Sequence, residues 1–188
     1  MVKIIGIIVT DILKDISEYI VSSAIFGILI TVIIEYERNL NTVEVLKKVK
    51  INFIKGKRYK WRLLFFIYIY FILDKTLLDR TFGIENNLKL ILTIPNILEI
   101  SNTEEKIEAI ENLIFFIPYT FFLLQSSLLQ KIKRVNDILV LSFFTSLTIE
   151  ILQYVTTLGT FQLSDLLYNT LGGIVGYILY KFIEGMRR

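Results

Sequence analysis

Five apolar stretches divide the chain, each bounded by charge or by a polar turn. Residues 19–34 hold no charged side chain between Glu18 and Glu35. Residues 61–78 open on Trp61 and are strongly aromatic, with Asp74 and Lys75 near their end. Residues 112–130 carry no charge, residues 138–157 only Glu150, and residues 166–180 none between Asp165 and Lys181. A helix needs about 20 mostly apolar residues to cross a hydrocarbon core about 30 Å thick, at about 1.5 Å per residue. Helices of a soluble bundle keep polar faces, and these stretches lack them. The pattern predicts an all-α, polytopic transmembrane helical bundle of about five spans, near residues 19–35, 61–78, 112–130, 136–157 and 165–181.

The connections alternate in charge. Residues 36–62 hold Arg38, Lys47, Lys48, Lys50, Lys55, Lys57, Arg58, Lys60 and Arg62 against Glu37 and Glu44. Residues 80–111 are acidic, with Glu85, Glu99, Glu104, Glu105, Glu108 and Glu111 against Arg80, Lys89 and Lys106. Lys131, Lys133 and Arg134 crowd the third connection, residues 158–164 carry no charge, and the tail ends on Lys181, Arg187 and Arg188. Basic short loops stay in the cytoplasm, which places the N-terminus outside and the C-terminus inside.

The first eighteen residues read as an amphipathic helix rather than a cleaved leader, because the apolar run is short and no small-residue cleavage site follows. Asp11, Lys14, Asp15 and Glu18 form a polar stripe opposite Ile8, Ile12, Ile16 and Ile20. Such a helix lies at the outer interface or leads directly into the first span. Residues 1–60 thus comprise this segment, a first span and a basic cytoplasmic loop, and residues 61–188 the main membrane domain. The loop itself is amphipathic over 42–62 and suits anionic lipids, although lysines there are also what any positive-inside loop carries. The membrane setting argues against nucleic acid.

Composition narrows the chemistry further. Of 188 residues, 54% are hydrophobic, the formal net charge is +3, and there is no Cys and no His. Disulfides, thiolate or imidazole metal sites, Cys nucleophiles and His-based triads are therefore excluded. No metal or cofactor is expected. Any site must be built from carboxylates, amides, hydroxyls and basic side chains.

Ionisable groups inside a membrane are costly and mark sites by default. Arg80 lies 19 positions after Trp61, roughly 28 Å along the helix and near the outer surface. Asp74 and Lys75 lie one to two turns deeper. Counted from Arg134, Glu150 stands roughly 24 Å and Gln153 roughly 28 Å up the fourth span. Asn112 opens the third span from the outer side, and Asp165 and Asn169 open the fifth. Ser142, Ser146, Glu150 and Gln153 share one helical face; Asp165, Asn169, Gly172, Gly173, Gly176 and Tyr180 share another. Gly172 and Gly176 form a GxxxG pair that permits close helix approach. The short 158–164 loop makes the last two spans antiparallel neighbours, so Glu150 and Gln153 are placed to face Asp165 and Asn169. Asp165 also suits capping of the fifth helix, and the serines suit bonds to backbone. Paired carboxylates in low dielectric require a shared proton or an intervening cation, for which Arg80 and Lys75 are available.

Ordered blocks of residues carry a resemblance. Asn112-Leu-Ile-Phe-Phe-Ile-Pro118, Ser146-Leu-Thr-Ile-Glu150-Ile-Leu-Gln153 and Asp165-Leu-Leu-Tyr-Asn169-Thr-Leu-Gly172-Gly173-Ile-Val-Gly176 resemble successive motifs of the VanZ-like membrane proteins. Thr76-Leu-Leu-Asp-Arg80, followed by a stretch ending at Pro95, resembles an earlier landmark of that family, so the likeness covers roughly 76–183. It implies a multi-pass protein of the bacterial cell (plasma) membrane, in a family named for its link to low-level teicoplanin resistance. It carries over no catalytic activity. Two departures stand out: Gln162 and Ser164 precede a lone Asp165 where the family commonly has several acids, and Tyr119-Thr120 follows Pro118 in place of a bulky residue and Gly.

Three functions compete. A non-catalytic envelope protein would use Arg80, Asn112, Glu150, Gln153, Asp165 and Asn169 to bind a glycopeptide, a cell-wall precursor or a lipid head group. A membrane enzyme on lipid-linked substrates would use Glu150 or Asp165 as acid or base, but no nucleophile motif or phosphate loop accompanies them. A small transporter, or the partner subunit of one, lacks the internal repeat such folds carry. The sequence favours binding, with membrane lipids as the constant partner.

Overall fold

The computed structural model describes residues 2–36, 41–78, 90–91, 103–129 and 134–187. Six α-helices make up nearly all of them. They are α1 (Val2–Glu35), α2 (Thr42–Lys55), α3 (Lys57–Leu73, continued by a π-helical turn, Asp74–Leu78), α4 (Thr103–Ser126), α5 (Val135–Val155) and α6 (Leu163–Met186). The fold is all-α. Four helices, α1, α4, α5 and α6, are long and apolar enough to cross a membrane.

Side-chain placement is inside out relative to a soluble protein. On α5, Ser142 and Ser146 are fully enclosed at 0% exposure, whereas Phe144 is 58% and Val155 68% exposed. Water does not tolerate so much bare hydrocarbon as α1, α5 and α6 expose. Lipid does, and buried hydroxyls and amides then serve as contacts between helices. This is a membrane protein.

Helix directions follow from the contacts. Asn169 of α6 meets Ser146 of α5, and Gly173 meets Ser142, so these two are antiparallel. Gly172 packs on the Leu113 backbone and Gly176 on the Ile117 backbone, which makes α4 and α6 parallel. Arg62 reaches the Ser126 carbonyl at 3.2 Å and Tyr68 the Phe115 carbonyl at 2.7 Å, so α3 opposes α4. The Tyr68 bond lies one turn before Pro118, which lacks an N–H and weakens the α4 ladder there. Phe26 stacks on Tyr70 at 4.7 Å and Tyr19 meets Phe71 edge-on at 5.9 Å, so α1 opposes α3. Their close approach needs Gly27, where a Cβ would collide with Ile67. Phe65, Ile72, Phe116, Tyr119, Leu123 and Ile149 form the apolar centre.

One detail decides between two alternatives the pattern left open, and three others depart from it. Helix α1 runs unbroken through residue 18, so the amphipathic segment leads directly into the first apolar stretch; its 34 residues span roughly 51 Å. Helix α4 begins at Thr103, not near Asn112, which puts Glu104, Glu105, Glu108 and Glu111 on the helix rather than in a loop. The second apolar stretch ends in a wide π-turn. Leu90 and Ile91 pair in parallel with Phe161 and Gln162, a non-local contact that no local pattern announces.

Helix α2 is closed at its start by a capping box. The Asn41 side chain accepts from the Glu44 N–H, and the Glu44 carboxylate accepts from the Asn41 N–H, each at 2.9 Å. It buries Val45 and exposes Leu46, Phe53 and Ile54 among its lysines. Charges divide between the two ends of the bundle. Lys47, Lys48 and Lys50 of α2, Lys57, Arg58 and Arg62 of α3, Arg134, and Lys181 and Arg187 of α6 outnumber Glu44, Asp137 and Glu184 at one end; Asp15, Glu108, Glu111, Glu150 and Asp165 surround Lys75 at the other.

Candidate functional site

At the acidic end, where α3 and α5 finish and α4 and α6 begin, lies a cavity of about 120 Å³. Lys75 and Thr76 enter it from the π-turn, Glu108, Glu111 and Asn112 from α4, Glu150 and Gln153 from α5, and Asp165 and Asn169 from α6. Phe71, Ile72, Phe115, Phe116 and Ile149 form its apolar walls. Five residues singled out by sequence, Asn112, Glu150, Gln153, Asp165 and Asn169, therefore line one space. Arg80 lies outside the described residues.

The α5 stripe is buried as its spacing requires, with Glu150 2% and Gln153 4% exposed. Gln153 Nε2 donates to the Thr76 carbonyl at 3.0 Å. A π-turn lets such a carbonyl leave the helical ladder, and the glutamine takes up the bond. Glu150 Oε2 accepts the Gln162 N–H at 2.8 Å, so this carboxylate anchors the α5–α6 hairpin. Asn169 Nδ2 donates to Ser146 Oγ at 2.9 Å, and Ser146 Oγ reaches the Asp165 carbonyl at 3.5 Å. Asp165 sits in the first turn of α6, where the helix dipole favours an acid. It is not the cap: that position is Gln162, whose side chain makes no capping bond.

Lys75 is the described cation of the cavity. It pairs with Asp15 of α1, lies 3.6 Å from Glu111 Oε2, and stands 4.1 Å from the centre of the Phe115 ring. Next to it, Ser22 of α1 donates to Asp74 Oδ2 at 2.8 Å. Helix α1 thus grips the π-turn at two consecutive residues.

Two atoms in this cavity stand out. Glu111 Oε1 and Asn112 Nδ2 are buried and find no hydrogen-bond partner among the described residues. One accepts and the other donates. Leaving such groups dry costs about 1–3 kcal/mol each, so together they are prepared to receive a polar group with both functions. Among the described residues no three acidic side chains converge to hold a metal ion.

The acids of α4 escaped the sequence reading because its third span was begun at Asn112. Their signal was nonetheless present: Glu104, Glu108, Glu111 and Asn112 follow i, i+4, i+7, i+8 spacing, one face of a helix. The glycine stripe of α6 serves packing. A Cβ at Gly172 or Gly176 would strike the backbone of α4, and one at Gly173 would strike the Ser142 side chain.

The family model described as VanZ/LLP1 matches residues 59–184, which takes in α4 and α5, all but the ends of α3 and α6, and every acidic-end cavity residue named above. No curated protein and no solved structure matches the chain.

Proposed function

The chain belongs to the VanZ/LLP1 family, and from that premise we propose that it is a non-catalytic protein of the bacterial plasma membrane whose acidic-end cavity binds the polar end group of an envelope molecule. The candidates are a glycopeptide such as teicoplanin, a cell-wall precursor, or a lipid head group, and binding of the first contributes to resistance. Five crossings are part of the reading: α1, α3 with its π-turn, α4, α5 and α6 alternate in direction, and the basic end faces the cytoplasm. The cavity then opens in the outer half.

One observation carries the reading. Asn112 and Glu111 hold a donor and an acceptor that find no partner among the described residues, in a space that four helices enclose. Its volume of about 120 Å³ is small beside the roughly 300–1,000 Å³ of pockets for drug-sized ligands. It therefore takes a single end group while the rest of the ligand lies outside. Glu150, occupied with the Gln162 N–H, serves shape more readily than proton transfer.

Protein in lipid nanodiscs, titrated separately with teicoplanin, a lipid-linked cell-wall precursor and soluble head-group analogues, tests this. Saturable binding of one of them, abolished by Asn112→Leu, is expected. Turnover of the precursor, or no saturable binding in any titration, overturns the reading.

A further inference from the structure

A second cavity, of about 300 Å³, lies at the opposite, basic end, between the start of α3 and the ends of α4 and α6. Lys57, Arg58 and Arg187 bring three cations to it against one carboxylate, Glu184, which Lys181 pairs at 3.0 Å. Arg187 Nη1 donates to Gln125 Oε1 at 3.4 Å. That bond fixes the amide so that Gln125 Nε2, buried and unpartnered among the described residues, remains as a donor. Helix α3 begins here with no side-chain cap, adding the positive end of its dipole. The carboxyl ends of α2, which finishes at the same Gly56, and of α4 and α6 oppose it; Arg62 offsets that of α4 by its bond to the Ser126 carbonyl, and the three cations carry the site.

We propose that this cavity holds the phosphate of an anionic phospholipid. A membrane source follows from the setting. Trp61 and Tyr180 line the opening, and such rings lie at the membrane–water boundary. Helix α2 borders the same end and exposes Leu46, Phe53 and Ile54 beside Lys47 and Lys50, the composition of a helix lying in an anionic surface. Acyl chains extend from here over the apolar outer face of α6, where Ile178, Leu179 and Phe182 are exposed. The site shares no residue with the acidic-end cavity and does not depend on that reading.

Native mass spectrometry of the full chain, with phosphatidylglycerol, phosphatidylcholine and inorganic phosphate as separate probes, tests it. Phosphatidylglycerol is expected to be retained over phosphatidylcholine, and the double variant Arg58→Gln/Arg187→Gln to weaken retention about thirtyfold. The control Lys3→Gln/Lys14→Gln, which removes the same charge at the opposite end of the bundle, is expected to keep it. Gln125→Leu removes the amide alone and is expected to lower retention severalfold, so it decides the matter if the arginine variant does not fold. Equal loss in the control, unchanged retention in Gln125→Leu, or displacement by inorganic phosphate overturns the proposal.

Discussion

Gln153 of α5 donates its side-chain amide to the backbone carbonyl of Thr76, 3.0 Å away in the π-turn that ends α3. Seventy-seven positions separate the two residues, yet the bond fixes both the shape of the turn and the depth at which Lys75 enters the cavity. Irregular backbone within a membrane persists only where protein or a cavity satisfies it. Here the glutamine takes the Thr76 carbonyl, and the Thr76 hydroxyl takes that of Ile72 at 2.7 Å.

Gln153→Leu is therefore expected to lower stability by about 1 kcal/mol, the scale of buried hydrogen bonds between membrane helices. Gln153→Glu sets an acceptor against a carbonyl and is expected to cost more. Thermal unfolding of both variants in detergent checks the order, and equal stability of the glutamate variant and the wild type would refute it.

Gly172 and Gly173 are neighbours in sequence but not in tolerance. An added Cβ at Gly172 meets the Leu113 backbone carbonyl, which cannot move without α4; at Gly173 it meets the Ser142 side chain. Gly172→Ala is expected to destabilise by about 1–3 kcal/mol and to resist rescue. Gly173→Ala is expected to recover when combined with Ser142→Gly, and melting temperatures of the three variants decide it.

Lys75 answers two carboxylates, Asp15 and Glu111, with side-chain exposures of 25%, 14% and 16% in turn. Lys75→Met strands them both and is expected to cost about 1–3 kcal/mol, below the fully buried case because water still reaches the group. Asp15→Leu in the same chain is expected to restore part of the loss. A double-mutant cycle measures the coupling, and additive losses would show that the ion pair does not join α1 to the π-turn.

Asn112→Leu separates stability from binding. Its amide nitrogen is buried without a described partner, and removing such a donor relieves a cost of about 1–3 kcal/mol. The variant is expected to melt at or above the wild-type temperature while losing ligand. A parallel fall in stability would show that the amide supports the fold instead.

What the sequence reveals of this fold depends on how local the cause is. The faces holding Ser142, Ser146, Glu150 and Gln153, and Asp165, Asn169 and Gly172, were legible because helical spacing alone puts them on one side. Their convergence was legible because the short 158–164 connection leaves α5 and α6 little choice. The early start of α4 was not, since Glu104, Glu105 and Lys106 lower the hydropathy while extending the helix, the two acids being favoured in its first turn. Nor was the role of Asp15, which belongs to the same stripe as Lys14 and Glu18. Those two pair at 3.9 Å on the exposed side, whereas Asp15 turns to Lys75. Which member of a polar stripe meets a partner is set by the neighbouring helix.

The contacts of Gly172 on Leu113 and Gly176 on Ile117 repeat every four residues along two parallel helices. They act as teeth in a rack with a spacing of about 6 Å. A small piston movement of α6 against α4 drives each glycine into a side-chain-bearing position, and only a full notch restores the fit. The wall formed by these two helices is consequently stiff along its length. Any breathing of the acidic-end cavity is left to its other wall, the π-turn and the end of α5, which side chains alone latch: Gln153 from α5, and Ser22 and Asp15 from α1.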